Sequence, residues 1–133
     1  MTTLETKLRI DEWNESAVEE LNDGRKITRA QVRLEDGADG LESGLAMMLA
    51  YYRPDGTSDY VTLLHLAGRL DGREGAFALR GDGGYDGTTA LGRMTIISGS
   101  GTGALAGISG SCVSESTHAD YPYMPLTLTY QLP

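Results

Sequence analysis

Gly99-Ser100-Gly101-Thr102-Gly103-Ala104-Leu105-Ala106-Gly107-Ile108-Ser109-Gly110 is the stretch that decides the fold. Glycine at that density ruins a helix, and its interleaving with Leu105 and Ile108 is too regular for a linker. It reads as a glycine-rich hairpin feeding a strand, with small residues that let backbones approach closely or bend at a corner. Thr88 to Ile97 precedes it as a strand, and the strand it feeds runs through Ser114.

Outward from there, short strands at even spacing are joined by turn-sized links. Residues 3 to 12 alternate, with Leu4, Thr6, Leu8 and Ile10 on one face and Glu5, Lys7, Arg9 and Asp11 on the other. Residues 13 to 24 lose the alternation and read as a loop or a single helical turn. Thr28 to Glu35 alternates again. Leu45 to Tyr52 is apolar on both faces and stops at Arg53-Pro54-Asp55-Gly56, where proline presets φ and glycine takes the left-handed position. Tyr60 to Leu70, Gly75 to Arg80 and Leu126 to Leu132 complete the set, with Asp82-Gly83-Gly84 read as a turn. Eight strands and no long helix make residues 1–133 a single all-β domain. An eight-stranded antiparallel β-barrel would remove every exposed edge, and an open sandwich satisfies the same spacing.

The formal charge of −8 argues against nucleic acid or an anionic membrane as partner, since both demand surplus Lys and Arg. Acids crowd the first third of the chain and read as a solvated face. The single Cys112 rules out an internal disulfide, and it reads as a small buried hydrophobe rather than a nucleophile. The N-terminal Met-Thr-Thr-Leu-Glu-Thr-Lys carries no secretory signal, and no segment is long and apolar enough to span a bilayer, so a cytoplasmic protein is expected. Two separated histidines and one cysteine give no metal-ligand spacing; neither metal nor cofactor is expected.

In a barrel, period-2 alternation separates lumen from exterior. With Leu4, Leu8 and Ile10 inward, one consistent inward set is Thr28, Ala30, Val32 and Leu34; Leu45, Met47, Leu49 and Tyr51; Tyr60, Thr62, Leu64 and Leu66; Phe77 and Leu79; Met94 and Ile96; and Leu126, Leu128 and Tyr130. Met47, Thr62, Leu64, Phe77, Met94 and Tyr130 are the candidate substrate-binding residues. Tyr51 and Tyr60 flank the Pro-Asp-Gly turn, where two phenols in an apolar lumen would orient a carbonyl or ether oxygen or share a proton with it. They are the candidate catalytic pair. His118, Tyr121 and Tyr123 lie in a proline-punctuated loop that would cap one mouth. Outward, Ala46, Met48, Ala50 and Tyr52 lie opposite Val61, Leu63, His65 and Ala67, a patch suited to a homo-oligomer, most simply a dimer.

Four ordered motifs carry a resemblance: Gly24-Arg25-Lys26-Ile27-Thr28-Arg29-Ala30, Tyr52-Arg53-Pro54-Asp55-Gly56, Gly68 to Phe77, and Gly99 to Gly110. Together they resemble a family of uncharacterised bacterial proteins, domain of unknown function 3224. That family is similar in fold to allene oxide cyclase, and the pattern from Thr102 to Gly110 also resembles the dirigent proteins. The resemblance implies a closed eight-stranded barrel. It also implies a lipophilic, oxygen-bearing intermediate, polyketide- or oxylipin-like, whose cyclisation the lumen steers without a cofactor. Aligned on these motifs, polar positions common in the family fall at Met47, Leu64 and Gly81 here, implying a greasier ligand. The expected function is therefore a cofactor-free cyclase or isomerase. A non-catalytic carrier or sensor, or a barrel filled by its own side chains, are the alternatives.

Overall fold

Strands form wherever apolar and polar residues alternate, and two of them run on past the point where the alternation breaks. The computed structural model describes Met1–Pro133 and contains nine strands: β1 (Thr2–Glu20), β2 (Lys26–Glu35), β3 (Leu41–Tyr52), β4 (Ser58–Leu70), β5 (Arg73–Tyr85), β6 (Thr89–Ile96), β7 (Thr102–Gly103), β8 (Ser109–Thr117) and β9 (Tyr123–Gln131). All pairings are antiparallel within one sheet, in the order β4-β3-β2-β1-β9-β8-β6-β5-β7. A further β4–β5 pairing closes the sheet into a ring of the eight long strands, with β7 appended to β5. No helix is long and apolar enough to cross a membrane.

The expected loop at residues 13 to 24 is instead the second half of β1, followed by a 3-10 turn at Asn22–Gly24. Against β2, Ile10 pairs with Leu34 but Glu12 pairs with Arg33, so Asp11 is an extra residue in the ladder. Such a bulge shifts the inward side from even to odd positions, which is why the alternation seems to end there. Trp13 and Glu15 then pair with Val32 and Ala30 and share their inward face.

The turn expected at Asp82-Gly83-Gly84 is also strand. β5 continues to Tyr85 because its glycines let β6 approach: a Cβ on Gly81 or Gly83 would overlap the carbonyls of Arg93 and Leu91. The Gly99–Gly110 stretch does join two paired strands, β6 and β8. It does so by successive turns that fold Leu105 and Ile108 into the core, both almost fully buried.

The inward set holds on most strands. Thr28, Ala30, Val32 and Leu34 of β2, Leu64 and Leu66 of β4, Phe77 and Leu79 of β5, and Met94 and Ile96 of β6 are buried. β3 is inverted. Ala46 and Ala50 are buried, while Leu49 and Tyr51 are 51% and 38% exposed. Apolar residues on both faces carried no phase information. The interior takes the small residues there because Ala46 lies between Val32 and Leu64 in the ladders.

Candidate functional site

The interior is divided. Leu8, Val32, Leu66, Phe77, Leu79 and Leu128 fill one part completely, with no measurable exposure on any of them. Tyr130 completes this part from β9, its hydroxyl donating to Asp71 Oδ2 at 2.9 Å. The other part holds a cavity of about 300 Å³, lined by 16 residues of which 11 are hydrophobic. It lies where β1 has parted from β9. Their pairing ends at Arg9–Tyr123, and beyond that β1 pairs only with β2. Ile10 and Trp13 form one side of the opening, and Ser114 and Ser116 of β8 line the cavity too.

Glu15 anchors the mouth. Its Oε2 accepts hydrogen bonds from Tyr52 Oη and Thr28 Oγ1, each at 2.7 Å, and its Oε1 accepts from Trp13 Nε1 at 3.1 Å. Partial burial pushes the carboxyl up, but those three donors and the charge of Lys26 outweigh it, and the net pKa lies below the ordinary value. The Tyr52 phenol moves the other way, to about 12, through burial, its bond to Glu15 and that carboxylate's charge.

Tyr60 stands on a floor of glycine. In the ladders Tyr60, Gly83 and Gly92 are directly opposed on β4, β5 and β6. A Cβ on Gly83 would come within 2.9 Å of the Tyr60 ring, and one on Gly92 within 3.8 Å of its hydroxyl. Tyr60 lines the cavity, and burial raises its pKa. A phenol so placed is a hydrogen-bond donor at neutral pH, not a base.

The other candidates fall unequally. Tyr51 does not join Tyr60 in the cavity: it lies opposite Asp59 on the outer face, because the β3 phase is inverted, and meets Tyr60 only at a shallow outer depression. Met47 is outward for the same reason, opposite Leu63. Leu64, Phe77, Met94 and Tyr130 are inward but packed into the core, and Thr62 is half-buried beside Gly81; none of the five lines the cavity. Tyr123 lines it, and His118 and Tyr121 border an adjoining cleft that shares Ile10, Trp13, Tyr85, Ala90, Ser116 and Tyr123. The loop is tied to β5 by Tyr85 Oη and His118 Nε2 at 3.1 Å.

Glu15, Trp13, Tyr52 and Tyr85 escaped the sequence reading. The first two lie beyond the bulge, Tyr52 turns inward with the inverted phase of β3, and Tyr85 ends the extension of β5 past the expected turn. A Trp-x-Glu spacing opposite Thr28 and Ala30 was the available signal. Cys112 is buried, and burial pushes its thiol up to about 12, which leaves no thiolate for nucleophilic chemistry. No group of three or more His, Cys, Asp or Glu side chains is placed to hold a metal ion. An outer apolar face does exist, with the phase corrected. Leu45, Met47 and Leu49 lie beside His65, Leu63 and Val61, and the last two are 49% and 54% exposed.

Comparison with known proteins bears on the whole chain rather than on the cavity. A family model described as a protein of unknown function (DUF3224) matches residues 4–130. No curated protein matches the chain. Among solved structures, a DUF3224-family protein of unknown function from Shewanella oneidensis MR-1 is similar at 20% identity and a TM-score of 0.77. The similarity covers 100% of this chain and 98% of that one. At that identity the likeness speaks for the fold alone. The family model runs almost from end to end through the ring just described, and the chain belongs to the DUF3224 family.

Proposed function

We propose that the ring is an eight-stranded barrel of the allene oxide cyclase-like kind, and that its open half confines a compact, lipophilic, oxygen-bearing molecule. Confinement would steer ring closure or isomerisation without a cofactor. The observation that carries this reading is the cavity, with an apolar wall and the Tyr60 phenol set into it. Tyr60 would donate to a carbonyl or ether oxygen of the substrate while the wall folds the rest of the molecule. Intramolecular reactions suit such a site, because orientation alone lowers a barrier by roughly 7–11 kcal/mol in favourable cases. The substrate class comes from the resemblance of the motifs.

A non-catalytic carrier is the second reading, and Glu15 favours it. That carboxylate is committed to three donors and held ionised, a poor proton acceptor for catalysis. Native mass spectrometry after exposure to an extract of the source cells tests the shared part. Wild type should retain a small molecule, and Ala90→Phe, which places a ring in the cavity, should retain less of it. Chromatography of the recovered molecule separates the readings, since an isomerase returns a product of equal mass but altered retention and a carrier returns its ligand unchanged. No retained molecule in wild type would favour a structural ring.

We also propose that two copies pair through the outer face of β3 and β4. Arg29, Leu49, Val61 and Asp82 form one row across four strands, running from cation to anion. A two-fold axis between Leu49 and Val61 brings Arg29 toward the partner's Asp82. Sedimentation velocity should find a dimer that Leu63→Glu dissociates; a monomeric wild type refutes the pairing.

A further inference from the structure

We propose that the cavity selects for positive charge: its ligand carries a protonated amine on an apolar body, with the ammonium directed at Glu15. This rests on the reading of the cavity as a small-molecule site and specifies the charge of what it takes.

The lining argues for it first. Of the 16 residues around the cavity, Glu15 alone bears a formal charge; no Lys, Arg or His is among them. A carboxylate offers about four acceptor directions, and three are filled by Tyr52, Thr28 and Trp13. One remains for a donor from the ligand. The same three bonds fix the group in place and keep it ionised, so an incoming cation meets a charge that needs no rearrangement. An anionic ligand would meet that charge in a largely apolar space, with no cation among the lining residues to pair with.

The aromatic content argues for it second. Trp13, Tyr52, Tyr60, Tyr85 and Tyr123 all contribute to the wall. Ring faces are electron-rich and attract ammonium groups, and aromatic walls beside a carboxylate suit amines. The protein already uses these rings in that way. Lys26 Nζ stands 5.0 Å from the centre of the Tyr52 ring, and Lys7 Nζ stands 4.7 Å from that of Tyr123. Neither lysine lines the cavity, although Lys26 is near enough to Glu15 to offset part of its charge. At longer range, a net charge of −8 draws cations toward the protein.

Isothermal titration calorimetry of the full chain at pH 7 tests this with three probes of one shape: 3-phenylpropylammonium, 3-phenylpropanol and 3-phenylpropanoate. The ammonium should bind about tenfold tighter than the alcohol, and the propanoate most weakly. Glu15→Gln should bring the ratio of ammonium to alcohol affinity from about ten down to about one. If that variant does not fold, salt titration of wild type replaces it: ammonium binding should weaken with ionic strength and alcohol binding should not. Alcohol or propanoate binding as tightly as the ammonium overturns the charge selection while leaving the cavity reading intact. Failure of all three to bind overturns both.

Discussion

One part of the ring points Leu8, Val32, Leu66, Phe77, Leu79 and Leu128 inward, while the other points Ala30, Ala50, Ala90, Ser114 and Ser116. Both are built from the same alternating strands with the same pairing. What separates a filled core from a 300 Å³ cavity is side-chain volume at corresponding inward positions. The small residues vacate the space, and Trp13, Tyr52, Tyr60, Tyr85 and Tyr123 wall it. Stability is therefore concentrated in the packed part, and the open part contributes less of it.

The sharpest way to break that division is to truncate one side chain in each part. Phe77→Ala should cost about 3–5 kcal/mol in urea unfolding, since it opens a void where none exists. Met48→Ala only enlarges the existing cavity and should cost less than about 2 kcal/mol. Equal costs would erase the distinction. Next comes Thr6→Val. The Thr6 hydroxyl is buried beside the packed part with no hydrogen-bond partner, so removing it should raise stability by about 1 kcal/mol in the same assay. A loss instead would mean that the hydroxyl is paired. Ala90→Phe should change stability by under about 1 kcal/mol, because the ring enters empty space. A larger loss by thermal melting would show the open part to be as tightly packed as the other.

The smallest effect is expected from Glu15→Gln, and its signature is pH dependence. The folded pKa of Glu15 lies below its ordinary value, so its contribution is present above the unfolded value near 4.5 and is lost as pH falls through the folded one. Melting curves of wild type and variant should differ at pH 7 and converge in acid. A gap that stays constant would remove the carboxylate's charge from the account.

Much of the ring was legible because alternation states a strand's phase directly. Thr28, Ala30, Val32 and Leu34 fall inward as their pattern requires, and so do Leu64, Leu66, Phe77 and Leu79. The readings failed where that signal was absent or was shifted. β3 is apolar on both sides, so nothing in its sequence chose between Ala46 and Met47 for the interior. Asp11 reverses the phase of β1, which hid Trp13 and Glu15. Gly83 looked like a turn residue, although its role is to lie under the Tyr60 ring. The site is poorly legible for a physical reason: bulges and close glycine contacts are the devices that open a cavity, and they are also the places where periodicity ends.

The parting of β1 from β9 has a second consequence. Beyond Arg9 one edge of β1 makes a single backbone bond across the gap, from Ile10 N to Pro122 O, and the rest has no strand beside it. A bare edge of that length is a template for another chain. This one carries Asp11, Glu12, Glu15, Glu19 and Glu20, a density of like charge that repels an incoming copy. The acidic crowding near the N-terminus is in this light a guard against strand-to-strand polymerisation. The guard rests on like charge at an exposed edge, so salt would weaken it.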